Sequence, residues 1–133
     1  MIKTIYLFFF VSVFSLGLWA CTGNQEMKYK NLSSAQFAEL IKDANIQLVD
    51  VRTLAEHMEG HIPSSININV KDETGFPVAV DELLDKNREV AVYCRSGRRS
   101  RTAADILVKK GFKVYNLDKG ILNWIEEGRE IEK

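Results

Sequence analysis

Short apolar runs rich in β-branched residues recur along this chain, each separated from the next by a helical or loop pattern, and this alternation restricts the possible folds most strongly. Ile46 to Val51, Ile66 to Val70, Glu89 to Tyr93 and Val114 to Leu117 are the strand-like runs. Ile66-Asn67-Ile68-Asn69-Val70 alternates with a period of two, whereas Val90-Ala91-Val92 is apolar throughout, as a strand buried on both faces requires. Ser33 with Gln36 forms a capping-box pattern, Leu32 with Phe37 fits a hydrophobic staple, and Phe37, Leu40 and Ile41 share one helical face. Val80 to Asp85 reads as a short helix. Ser100 to Lys110 reads as a longer one with Ala103, Ala104, Ile106 and Leu107 inward and Gly111 at its end. Ile121 to Glu127 is a last helix, stopped at Gly128. Strands alternating with helices predict an α/β fold, a central mostly parallel β-sheet flanked by helices on both faces. Ligands of such sheets bind beyond the carboxyl ends of the strands, where Cys94 stands.

The start of the chain follows a different pattern. Lys3 precedes an almost unbroken apolar run from Ile5 to Leu18. At about 14 residues it is short for a membrane span of ~20 and suits the apolar core of a signal peptide. Leu18-Trp19-Ala20-Cys21 follows and resembles the lipobox of bacterial lipoproteins. That resemblance implies cleavage before Cys21, a lipid on its sulfur, and a domain held at the bacterial cell envelope outside the cytoplasm. An uncleaved N-terminal anchor is the alternative. The expected organisation is a signal peptide over 1–20, a polar tether over 21–30 and one small domain over 31–133. Lysines and arginines number 18 and acidic residues 18, so no global field marks a nucleic-acid binder. Cys94 has no partner in the chain if Cys21 carries lipid, and a monomer is expected.

An unpaired thiol in an exported protein is either a small buried hydrophobe or a reactive group. The segment Cys94-Arg95-Ser96-Gly97-Arg98-Arg99-Ser100 favours reactivity. A helix follows it, so N-terminal amides and the positive end of the dipole face back toward the sulfur. Gly97 lets the loop curl until successive N–H groups converge, and Arg95, Arg98 and Arg99 add positive potential able to hold an oxyanion. These features stabilise the thiolate, which is the nucleophilic form.

The same segment resembles the active-site loop of single-domain rhodaneses. Asp50-Val51-Arg52 with Glu56-His57, then Gly60-His61-Ile62-Pro63-Ser64-Ser65-Ile66-Asn67, resemble two further blocks of that family in the same order. Leu117-Asp118-Lys119-Gly120-Ile121 with Trp124 resembles its closing block; Lys119 stands where many relatives have a second glycine. The resemblance implies sulfur transfer by double displacement. Cys94 would take the outer sulfur of a small donor anion such as thiosulfate, and pass it as a persulfide to cyanide or a thiol acceptor. Arg95, Ser96, Gly97, Arg98, Arg99 and Ser100 would form the binding loop, and no metal or organic cofactor is implied.

Asp50, Arg52 and Glu56 are expected in supporting roles, with Arg52 paired to Glu56 across a loop. His57 and His61 are four apart, a ligand-like spacing only on a helix; Gly60 and Pro63 argue for a loop instead. Trp124 is expected in the core. Three other functions compete. A phosphatase loop needs an arginine six positions after the cysteine, where this chain has Ser100. A binding module without catalysis would not need the cysteine and its basic loop, and a dithiol redox protein would need a second cysteine nearby.

Overall fold

The computed structural model describes residues 28–133. The predicted signal peptide, Cys21 and most of the predicted tether lie outside these residues. Five strands form one sheet in the order β1-β5-β4-β2-β3, and every neighbouring pair is parallel. They are β1 (Lys30–Leu32), β2 (Gln47–Asp50), β3 (Ile66–Asn67), β4 (Val90–Tyr93) and β5 (Val114–Leu117). The helices are α1 (Ser34–Leu40), α2 (Leu54–Glu59), α3 (Gly75–Leu83), α4 (Arg98–Lys109) and α5 (Gly120–Glu126). Among the described residues no helix is long and apolar enough to cross a membrane.

Strand β4 is the middle strand and is buried along its whole length, as its unbroken apolar run requires. Its side chains alternate between two cores. Val90, Val92 and Cys94 pack with Val49, Val51, Phe76, Val80, Ala103, Ala104 and Leu107, under α3 and α4. Ala91 and Tyr93 pack with Phe37, Leu48, Leu117, Ile121 and Trp124, under α1 and α5. Trp124 is thus a core residue; its indole N–H donates to the Glu130 carbonyl at 2.8 Å. Burying each large aliphatic side chain contributes about 1.5–3 kcal/mol, so both faces of β4 serve as the structural anchor.

Local signals in the sequence explain most helix ends. Ser33 and Gln36 form the reciprocal capping box, and Leu32 and Phe37 join the same core. Helix α4 starts two residues earlier than its apolar pattern suggests, because Arg98 and Arg99 form a polar first turn. It ends in a Schellman arrangement, with the Phe112 amide on the Leu107 carbonyl and Gly111 at φ 98°. Helix α3 begins five residues before the expected Val80; Pro77 sits in its first turn, where a missing N–H costs nothing.

Three elements differ from expectation. Lys30, the last residue of the predicted tether, opens β1, and Tyr29 packs against the core before it. Strand β3 is two residues long instead of five. The Asn67 side-chain amide donates to the carbonyls of Asp50 and Arg52 at 3.1 and 2.8 Å; the Asp50 carbonyl still accepts the Ile68 amide, but the Val70 amide shifts to the Val51 carbonyl at 3.1 Å, which breaks the regular ladder. The segment after β2, expected as a loop, is helix α2. Thr53 caps it by accepting from the Glu56 amide at 3.3 Å, and Gly60 ends it.

Candidate active site

Cys94 lies directly after β4, 1% exposed, with its thiol on the α4 side of the sheet. The chain then turns through Arg95, Ser96 and Gly97 into α4. Gly97 adopts φ 98°, and its amide donates to Cys94 Sγ at 3.1 Å. A β-carbon at Gly97 would lie 2.0 Å from the Asp118 carbonyl oxygen, so this turn accepts only glycine.

The opposite side of the loop is held by the turn after β5. The amides of Ile121 and Leu122 donate to the carbonyls of Cys94 and Arg95 at 2.9 and 3.1 Å. With its carbonyls engaged there, the loop leaves its amides free to face the sulfur. Gly120, at φ 67°, allows the approach; a β-carbon there would meet the Arg95 carbonyl at 2.2 Å. Lys119 is exposed with φ −99°, a conformation any side chain adopts, which explains why a glycine is dispensable at that position.

Two opposing effects act on the thiol. Burial raises its pKa, while the Ser100 hydroxyl and the amides of Ser100, Gly97 and Ser96 stabilise the anion; the net value lies below the ordinary 9.0. Ser100 is fully buried and its Oγ is 3.0 Å from the Gly97 carbonyl. Its single hydrogen goes either to that carbonyl or to the sulfur, and formation of the thiolate favours the sulfur. Ser100 therefore serves the sulfur as a close neutral donor, in the place where a phosphate-binding loop would need a cation.

The arginines divide into two groups. Arg95 and Arg98 are exposed on the loop. Arg99 instead forms a forked pair with Glu56 of α2, with both N···O distances 2.8 Å. That guanidinium, with help from Thr53, holds the Glu56 carboxyl down to about 2. The expected Arg52–Glu56 pair is replaced by this one. Arg52 turns back onto Asp50, donating from Nε and Nη2 at 2.9 and 2.8 Å, and onto the Gly60 carbonyl at 2.7 Å. The reason is burial: Asp50 is 0% exposed and needs the nearest cation, while Glu56 sits on the helix face turned toward α4.

His57 is on α2, with Nδ1 2.9 Å from Asp50 Oδ2, and its ring stacks on His61 at 3.8 Å. His61 reaches the His57 carbonyl and Glu132. Both histidines are tied to protein partners, and among the described residues no cluster is suited to a metal. Tyr93, register partner of Asp50, completes this network: its hydroxyl meets Ser65 Oγ and the Ile62 amide, and its ring lies under Arg52. Tyr93 and Thr53 were not anticipated as site-building residues. The Thr53–Glu56 spacing, the same capping signal as Ser33–Gln36, marks α2 in the sequence.

A hollow of about 240 Å³ opens beside the loop, between Glu56 and Glu59 of α2 and Leu122 and Ile125 of α5, with Arg95 at its edge. Three larger hollows, about 530, 550 and 410 Å³, are lined by residues other than Cys94, near Phe112, Trp124 and Leu48 respectively.

A sequence profile described as a rhodanese-like domain matches residues 33–127. The chain belongs to the rhodanese-like family. A Bacillus subtilis protein, YtwF, described as a candidate sulfurtransferase, is 37% identical over 99 residues, 74% of this chain and 92% of the relative. A sulfurtransferase of Allochromatium vinosum is 34% identical over 102 residues, 75% of this chain and 92% of its own. The crystal structure of a rhodanese-related protein from Thermoplasma volcanium superposes with a TM-score of 0.65 at 30% identity. It covers 78% of this chain and 98% of that structure. The α/β rhodanese fold with an all-parallel five-stranded sheet is thus shared by sequence and by shape.

Proposed function

We propose that this rhodanese domain is a sulfurtransferase that carries sulfane sulfur on Cys94. The observation that supports the reading most strongly is the Gly97 amide 3.1 Å from a buried sulfur whose ionisation is favoured by the surrounding donors. In the first step the Cys94 thiolate attacks the outer sulfur of a donor, such as thiosulfate. A new S–S bond forms, the donor's S–S bond breaks, and sulfite leaves with the bonding pair. In the second step a thiol or cyanide takes the outer sulfur and Cys94 returns as thiolate. The amides of Ser96, Gly97 and Ser100 stabilise both anions, and the preorganised donors need no general base. Arg95 and Arg98 attract the donor anion. The reaction requires no metal or organic cofactor, and the protein acts as a monomer.

The uncharged Ser100 also bears on the phosphatase alternative. A transferring phosphoryl group spreads charge over three equatorial oxygens, which calls for a wider, more cationic cradle. Thiosulfate-to-cyanide transfer by wild type and Cys94→Ser tests the assignment. Turnover lost in the variant supports it; turnover retained overturns it.

The lipobox-like Leu18-Trp19-Ala20-Cys21 supports a lipid anchor on Cys21, with the domain on the outer side of the cytoplasmic membrane or within the envelope. Cys21→Ser then releases the protein from the membrane fraction without changing Cys94 chemistry. A variant still found in the membrane pellet replaces the lipid anchor with an uncleaved apolar one.

A further inference from the structure

We infer that Glu56 is a specificity-determining residue that disfavours small dianionic donors and directs the site toward organic persulfides. The inference rests on the sulfur-transfer reading above and deepens it. Its basis is the forked Glu56–Arg99 pair, in which both guanidinium donors face the carboxylate at 2.8 Å. Both side chains are only about a quarter exposed, at 27% and 22%. Thr53 Oγ1 donates to the same carboxylate at 3.1 Å, so its position is fixed from two sides.

Arg99 follows Cys94 by five residues in the basic loop, and a free guanidinium there would be the natural partner of a sulfonate. Glu56 occupies the face of that guanidinium with which it would grip an anion. The other arginine of this region, Arg52, is closed by Asp50 and the Gly60 carbonyl in the same way. Two cations remain open at the loop, Arg95 and Arg98, and both are exposed, where solvent and salt weaken them. A donor with two charges on a compact sulfonate therefore meets a guanidinium already neutralised by a fixed carboxylate where a third free cation would stand.

An organic persulfide avoids this penalty, because its leaving group is a single thiolate and its organic part extends outward. The apolar wall of Leu122 and Ile125 beside Arg95 is open to such a part; these side chains are 45% and 46% exposed. The transfer balances as follows: the Cys94 thiolate attacks the outer sulfur of R–S–SH, a new S–S bond forms, the S–S bond between the inner and outer sulfurs breaks, and R–S⁻ departs with the bonding pair. Cys94 retains the outer sulfur with its proton.

Alkylation of Cys94 in the full chain tests the charge argument without relying on turnover. Rates with anionic iodoacetate and neutral iodoacetamide are read by mass spectrometry of the Cys94 peptide, so their ratio cancels changes in thiolate fraction. Glu56→Gln is expected to raise the iodoacetate-to-iodoacetamide ratio about fivefold at low salt, with the gain shrinking as salt rises. Glu56→Ala gives the same direction if the glutamine variant folds poorly, and Glu56→Asp stays near wild type. In parallel, Glu56→Gln lowers the KM for thiosulfate more than that for a glutathione-type persulfide. An unchanged or lowered alkylation ratio in both neutral variants overturns the role of Glu56. If instead no donor transfers sulfur to wild type while the ratio still rises, the field of Glu56 stands and the sulfurtransferase reading fails.

Discussion

Gly97 points its amide at Cys94 Sγ from 3.1 Å while its α-carbon is pressed so near the Asp118 carbonyl that an added β-carbon would lie 2.0 Å from that oxygen. One residue thus couples the loop that faces the sulfur to the turn after β5. The sulfur's surroundings depend on the packing of two segments more than twenty residues apart in sequence.

Substitution Gly97→Ala should break this coupling. It places a side chain at φ 98° and against a backbone oxygen that has no freedom to yield. A loss of about 2–4 kcal/mol in stability is expected from strain and displacement. The folded fraction should alkylate Cys94 at pH 6 at least tenfold more slowly. Calorimetry and alkylation rates check both parts; a variant with wild-type melting and wild-type reactivity contradicts the coupling.

The second prediction concerns ionisation. The folded Cys94 pKa lies below its ordinary value of 9.0, through the Ser100 hydroxyl and three amides acting against burial. A group depressed on folding adds stability that is full above the unfolded value and is lost as pH falls through the folded value. Stability should therefore rise with pH across that window, and the Cys94 alkylation midpoint should lie below 9.0. Ser100→Ala removes one donor to the anion while leaving burial in place, so its midpoint moves upward. Each unit of that shift lowers the reactivity at pH 6 about tenfold. A midpoint that stays put in Ser100→Ala assigns the activation to the amides alone.

The buried pair of Asp50 and Arg52 is expected to act on stability. Asp50 is fully buried and accepts from the Arg52 amide, Nε and Nη2. Asp50→Asn leaves Arg52 as an uncompensated buried charge, at a cost of about 3–5 kcal/mol. Urea denaturation should show that loss, while the specific activity of the folded protein changes much less. Equal losses of stability and of specific activity would move this pair into the reaction itself.

Much of the fold was legible in the sequence, for physical reasons that differ among the elements. The unbroken Val90-Ala91-Val92 run identified the middle strand, because a strand covered on both faces has no polar positions. Gly111 and the Ser33–Gln36 box marked helix ends through chemistry local to a few residues. Helix α2 was hidden because it has no buried residue and so no apolar period; only the Thr53 cap marks it. The partner of Arg52 was illegible for a related reason. Glu56 is the nearer acid along a helical turn, but the choice rests on the burial of Asp50 and on the position of Arg99 across the site. Neither is a property of local sequence. The loop after β4 was the most legible part of the candidate site, since Cys94, Gly97 and Ser100 are close in sequence and local chemistry alone brings them together.

The central claim is that Cys94 accepts a sulfur atom, and intact mass measurement tests it most directly. Full-length protein carrying Cys21→Ser, in which Cys94 is the one remaining thiol, would be exposed to excess thiosulfate or a glutathione-type persulfide and weighed before and after cyanide. The account predicts a gain of one sulfur atom that cyanide removes, and no gain in the Cys21→Ser, Cys94→Ser double variant. A mass that stays unchanged with both donors, or an equal gain in the double variant, would contradict it.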